Sequence, residues 1–149
     1  MENNRQFHGA KLFLFVGEQI ATILRDEISG IPHPGHWDFP GGGREGDESA
    51  EACVLRELQE ELGLVLSARD LIWSRQYDNP SGPSVFFAAH IPLNRAAELR
   101  LGDEGQCWRL MLPGEYVAHP RAIAKFADRL QDYMQMLAPP GGVIPTRRR

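Results

Sequence analysis

Three glutamates, Glu57, Glu60 and Glu61, fall within a span of five residues. At about 100° per helical residue, setting Glu57 at zero puts Glu61 near 40° and Glu60 near −60°. All three carboxylates then share one face of one helix. Like charges at this spacing repel by a few tenths of a kcal/mol per pair. A solvated surface tolerates that, and so does a divalent cation seated between the acids. Hard oxygen donors suit Mg²⁺ or Mn²⁺, which keep several waters and take the rest of their shell from substrate phosphates. A run of glycines, Gly41-Gly42-Gly43, precedes the acids in the sequence. Such a run brings backbone N–H and C=O groups close to a ligand, and feeding it into a helix N-terminus favours an anion. Loop, helix start and acids together suit a phosphate–metal complex.

The helix carrying these acids is expected from near Asp47 to Leu62, with Asp47 or Glu48 favouring its start and Gly63 its end. Val54, Leu55, Leu58 and Leu62 form an apolar stripe beside the acidic one, so one side packs on a core. Upstream, Lys11–Val16 and Gln19–Arg25 read as a strand pair turning at Gly17-Glu18. Residues 29–46 are rich in Gly and Pro and read as a long loop. Leu71–Tyr77, Val85–Ile91 and Gln106–Leu112 read as further strands. Pro120 suits the first residue of a last helix, whose apolar positions are Ile123, Phe126, Leu130, Tyr133, Met134 and Leu137. The result is a mixed α/β domain over residues 1–138, followed by a mobile Pro/Gly/Arg tail over 139–149.

The chain has 149 residues and a formal net charge of −4. One domain with one real core is expected at this length. The modest acidic charge argues against a nucleic-acid partner held by bulk positive charge. The apolar run Leu12–Val16 is far too short to span a membrane, and Glu18 and Gln19 follow it at once, unlike a signal peptide. A cytoplasmic protein without membrane attachment is expected, as a monomer or homodimer. Its two cysteines, Cys53 and Cys107, are read as buried thiols rather than a disulfide or zinc set. Lys11 and Lys125 are the only lysines.

Gly42-x5-Glu48-x7-Arg56-Glu57-Leu58-x-Glu60-Glu61-x-Gly63-Leu64 matches every specified position of the Nudix box. From average composition, a chance match at one start position is on the order of one in a billion. The sequence thus resembles the Nudix hydrolases, and mutator-type (MutT-like) members in particular. The resemblance implies an α/β/α sandwich around a mixed β-sheet. It implies Mg²⁺-dependent (or Mn²⁺-dependent) hydrolysis of a nucleoside diphosphate linked to another moiety. Glu57, Glu60 and Glu61 would then be the metal-binding acids, with Glu57 alternatively a base or an orienter of the attacking water. Arg56 and Glu48 would form a supporting ion pair. The Gly41 carbonyl would be a further metal ligand, and Gly42 and Gly43 would shape the loop against substrate. Glu104, in the run Glu104-Gly105-Gln106, would be another metal ligand or the general base, with Asp103 as the fallback.

The entry Trp37-Asp38-Phe39-Pro40-Gly41-Gly42 resembles that of the mutator-type members and favours a nucleoside triphosphate, cut to monophosphate and pyrophosphate. Trp37 or Phe39 would line the base pocket, unless both are core aromatics anchoring the loop. His119 stands where such members can carry a purine-reading asparagine. Pro80, sixteen residues past Leu64, resembles a mark of ADP-ribose enzymes and supports ADP-ribose or a nucleotide sugar as the alternative. His33 and His36 are loop histidines that could touch phosphate. A non-catalytic nucleotide-binding regulatory module is the further alternative, although no acid of the box is lost.

Overall fold

A computed structural model describes residues 6–137. Among these, seven strands form one mixed sheet. The order along its main path is β3 (Trp37–Asp38), β2 (Gln19–Leu24), β1 (Gly9–Val16), β6 (Ser84–Ile91), β5 (Trp73–Tyr77). Strand β4 (Gly41–Gly43) adds to β1 and β7 (Cys107–Met111) adds to β2. The β1–β6 pair is parallel and the remaining pairs are antiparallel. Helix α1 (Ala50–Leu62) covers one face; α2 (Pro113–Ala118) and α3 (Ala124–Leu137) accompany the other.

Strand β1 is buried on both sides, so it reads as a continuous apolar run rather than an alternation. Leu12, Leu14 and Val16 enter the core under α1 with Val54, Leu58 and Leu62. Phe13 and Phe15 enter a second core with Phe39, Tyr116, Phe126 and Tyr133. These two cores realise the sandwich expected from the family resemblance.

Several boundaries differ from the sequence expectation. Within 29–46 the chain forms β3 and β4, two strands too short to show any periodicity. Helix α1 starts at Ala50; Ser49 is its cap, its side chain accepting from the Ala52 N–H, rather than Asp47 or Glu48. Pro120 does not open the last helix. Pro113 instead opens α2, and α3 begins at Ala124. Cys53 is buried as expected, but Cys107 is exposed, because alternate residues of β7 face outward. The tail assigned to 139–149 lies outside the described residues. No helix among the described residues is long and apolar enough to cross a membrane.

Candidate active site

The acidic stripe of α1 is not an open surface. Strand β4 lies across its N-terminal half, burying Ala50 and Cys53 there. The Cys53 thiol points at the Gly42 and Gly43 carbonyls, each at 3.6 Å, and burial pushes its pKa up to about 12. A Cβ on Gly42 would lie 2.6 Å from the Glu57 carboxyl carbon, so only glycine lets the strand approach this acid. Glu61 reaches the same strand one residue earlier, where its Oε1 accepts the Gly41 N–H at 2.8 Å. The glycine strand thus carries Glu57 and Glu61 against its backbone.

Arg56 organises the rest of the box. Its guanidinium grips Glu48 with two hydrogen bonds, Nη2 to Oε1 at 2.7 Å and Nε to Oε2 at 3.1 Å. It also donates to Glu57 at 3.1 Å, to Glu60 at 3.3 Å and to the Gly43 carbonyl at 3.0 Å. The hydrogen bonds from Arg56 hold the Glu48 carboxyl well down, at about 2. Burial acts the other way on the two acids at the strand: it pushes the Glu57 carboxyl up, and that of Glu61 up to about 8. Glu60 remains exposed.

Two half-buried carboxylates raised by desolvation are costly unless a cation or a proton compensates them. Their all-oxygen donor set, beside a backbone without a Cβ, fits Mg²⁺ or Mn²⁺. Among the described residues, however, no three His, Cys, Asp or Glu side chains already converge on one point. Arg56 stands between Glu48, Glu57 and Glu60, and Glu61 faces the Gly41 amide. The Gly41 carbonyl accepts from Lys11 Nζ at 3.1 Å.

Glu104 sits on an exposed loop, and that loop is fixed to α1. The Arg100 and Gly102 amides donate to the Leu62 and Glu61 carbonyls at the end of the helix, at 2.9 and 2.8 Å. A Cβ on Gly102 would lie 2.1 Å from the Glu60 carbonyl oxygen, which explains the glycine. Glu104 and Glu61 line one cavity of about 280 Å³, together with Asp38, Phe39 and Arg25. Asp103 is exposed and does not line it.

A second cavity, of about 340 Å³, shares Gly42 and Gly43 with the acid site. Lys11, Arg25, His33, Lys125 and Arg129 line it, with Phe86, Ile123 and Phe126 as its apolar walls. Both lysines of the chain therefore face one space. Its rim is anchored by Asp38, a buried carboxylate of the β3 strand. Asp38 Oδ2 accepts from Lys11 Nζ and Arg25 Nη1, both at 3.0 Å, and Oδ1 accepts the Phe39 N–H at 2.7 Å. Sequence reasoning passed over Asp38, Arg25, Lys125 and Arg129. Spacing gives no signal for them, because β3, the end of β2 and α3 bring them together.

The remaining expected residues have structural surroundings. Trp37 is 7% exposed; its ring lies edge-on to His119 at 6.1 Å and under Arg109. Phe39 is packed among Phe13, Tyr116 and Phe126, and only Phe39 of the pair borders a described cavity. His119 Nδ1 accepts the Arg121 N–H at 2.9 Å, and His119 lines neither cavity. Pro80 lies exposed in the turn between β5 and β6. His36 bonds the Pro34 carbonyl.

The chain is 44% identical over 46 residues to an 8-oxo-dGTP diphosphatase of Proteus vulgaris, covering 31% of this chain and 41% of the relative. It is 36% identical over 58 residues to the CTP pyrophosphohydrolase of Escherichia coli (strain K12), covering 39% of this chain and 43% of the relative. Each match thus spans less than half of the curated relative. The MutT protein of Methanosarcina mazei Go1 shares the fold, with a TM-score of 0.72 at 18% identity over 91% of this chain and 98% of that one. The NUDIX domain model matches residues 9–132. With most of its length inside that match, the chain belongs to the NUDIX family.

Proposed function

We propose that this protein is a divalent-metal-dependent pyrophosphohydrolase of nucleotide-linked substrates, and that it cleaves a nucleoside triphosphate to monophosphate and pyrophosphate. One observation carries this reading: the acids of an intact box meet β4 at Gly41 and Gly42, and a cation-lined cavity borders the same strand at Gly42 and Gly43. The named substrates of the two curated relatives, 8-oxo-dGTP and CTP, are nucleoside triphosphates and support the same class.

In this reading Glu57, Glu60 and Glu61, with the Gly41 carbonyl, hold Mg²⁺ or Mn²⁺. When bound, such an ion neutralises pyrophosphate oxygens and lowers the pKa of a water. Arg56, fixed by Glu48, orients Glu57 and Glu60. Glu104, on the loop tied to the end of α1, is the candidate for a further ligand or for the base that takes a proton from water. Lys11 and Arg25, themselves oriented by Asp38, and Lys125 supply positive charge along the cavity for a polyanionic substrate. The catalytic unit is assigned to residues 1–138.

The test is product analysis on a panel of nucleoside triphosphates, ADP-ribose, nucleotide sugars and dinucleoside polyphosphates, with Mg²⁺, with Mn²⁺ and with EDTA. Release of a monophosphate and pyrophosphate from triphosphates, lost in EDTA, is expected. Preferential cleavage of ADP-ribose would move the assignment to the alternative suggested by Pro80. Binding without turnover across the panel would favour a regulatory module.

A further inference from the structure

Within the second cavity, Arg129 stands apart from the other cations. It lies on α3, is only 8% exposed, and lines the cavity wall. Its guanidinium sits over the Tyr77 ring at 4.5 Å and the Phe86 ring at 5.1 Å. A guanidinium carries five N–H donors, and the hydrogen bond it makes is from Nη2 to Asn79 Oδ1, at 2.9 Å. Nearby Asp132 is committed elsewhere, accepting the Tyr77 hydroxyl and pairing with Arg75. A buried, donor-rich group facing a cavity is an expensive arrangement unless a ligand supplies acceptors.

Asn79 is itself held in place. The Asn79 amide nitrogen donates to the Gly82 carbonyl at 3.2 Å and to Ser84 Oγ at 2.9 Å, while its oxygen accepts from Arg129. The pair also lies at a definite place relative to the acids. Gly43, Gly9 and Ser84 are in register across β4, β1 and β6. With about 4.8 Å between adjacent strands, Ser84 is about 10 Å from the glycine strand. A nucleotide whose anhydride lies at β4 would extend along the cavity and present its base, not its phosphates, to this far wall. Phe86, Phe126 and Ile123 give the ring apolar neighbours there.

We propose that Arg129, oriented by Asn79, reads the edge of the nucleobase and selects bases with adjacent acceptors, such as O6 and N7 of guanine, over adenine. A guanidinium offers donors only and meets guanine with two bonds. Adenine places an amino donor beside its N7, so it offers the donor-only guanidinium a single acceptor on that edge. The proposal rests on the nucleotide reading above and adds to it the residues that set the base preference.

The experiment compares kcat/KM for GTP and for ATP in the wild type, Arg129→Leu, Arg129→Lys and Asn79→Ala. Calorimetric binding of GMP and AMP to the same proteins serves as a readout independent of turnover. The wild type is expected to favour GTP by roughly tenfold or more. That ratio should collapse toward one in Arg129→Leu, mainly through KM, and fall partway in Asn79→Ala. Arg129→Lys keeps the charge but loses the planar fork stacked on Tyr77 and Phe86, so the preference should fall partway there too. It decides the matter if the leucine variant does not fold. A wild-type preference for ATP, or a ratio unmoved in both Arg129→Lys and Asn79→Ala, overturns the proposal. If no triphosphate is hydrolysed at all, the pyrophosphohydrolase reading fails. GMP binding tighter than AMP, levelled in the variants, would then still support the base reader, and equal binding would overturn it.

Discussion

On the α1 side of Gly42 the nearest side chain is the Glu57 carboxylate, with Glu61 one residue away along the strand. On the α3 side, the cavity that borders Gly42 and Gly43 is lined by Lys11, Arg25, Lys125 and Arg129. The box acids, with Arg56 among them, and a cavity rich in cations, with Asp38 among them, thus adjoin one three-residue strand. Residues 42–64 hold seven acids and two bases, while the rest of the chain is close to neutral. The difference teaches how an acidic protein can take an anionic substrate. In the proposed reading the negative side would accept metal cations, the positive side would accept the nucleotide, and the anhydride would lie where the two meet.

Gly42→Ala strikes that meeting point and should have the largest effect among changes outside the acids themselves. Its new Cβ would fall 2.6 Å from the Glu57 carboxyl carbon, so the acid or the strand must move. A displacement of about an ångström can cost on the order of a hundredfold in rate. We expect kcat to drop by that order with the melting temperature little changed; an unaltered kcat would separate β4 from the chemistry.

Glu48→Gln perturbs the acidic side alone. It weakens the two-bond grip on Arg56 and leaves the cavity untouched. Loss of such a supporting contact typically costs ten- to a hundredfold in metal affinity or activity, so about tenfold weaker metal activation is expected. Base preference should not change. A shift in base preference with normal metal activation would mean the two sides are not separable.

The smallest effect concerns pH in the metal-free protein. Burial raises the Glu61 pKa to about 8, above the ordinary value near 4.5 expected in the unfolded chain. The folded state therefore binds a proton more tightly than the unfolded state, and stability should fall as pH rises from about 4.5 to about 8. Glu61→Gln removes this dependence. In EDTA, urea unfolding should show the variant more stable than the wild type above pH 8 and the difference fading below pH 4.5. A wild type that is equally stable relative to the variant at both ends would place Glu61 in a wetter site than its surroundings suggest.

The acidic side was legible in the sequence because its residues lie on one helix and one adjoining strand. Helical periodicity alone grouped Glu57, Glu60 and Glu61, and the spacing of the box supplied Arg56 and Glu48. The cationic side was not, since Lys11, Arg25, Lys125 and Arg129 come from β1, the end of β2 and α3, and register across a sheet is not written in local spacing. The burial of Ala50 on the acidic stripe escaped for a related reason, whereas Cys53 was expected to be buried from its residue type alone. A helical wheel shows which residues share a side, but not that a glycine strand will cover half of it. Strands β3 and β4 were missed because two or three residues carry no period, and α2 because it is a six-residue helix.

The most direct test of the account is hydrolysis of a nucleoside triphosphate by the wild type and Glu61→Gln side by side, with Mg²⁺ and with EDTA. The wild type should release monophosphate and pyrophosphate only with the metal. The variant should be at least as stable as the wild type, yet lose on the order of a hundredfold or more in turnover. A variant as active as the wild type, or a wild type equally active in EDTA, would contradict the assignment of these acids to a metal-dependent site.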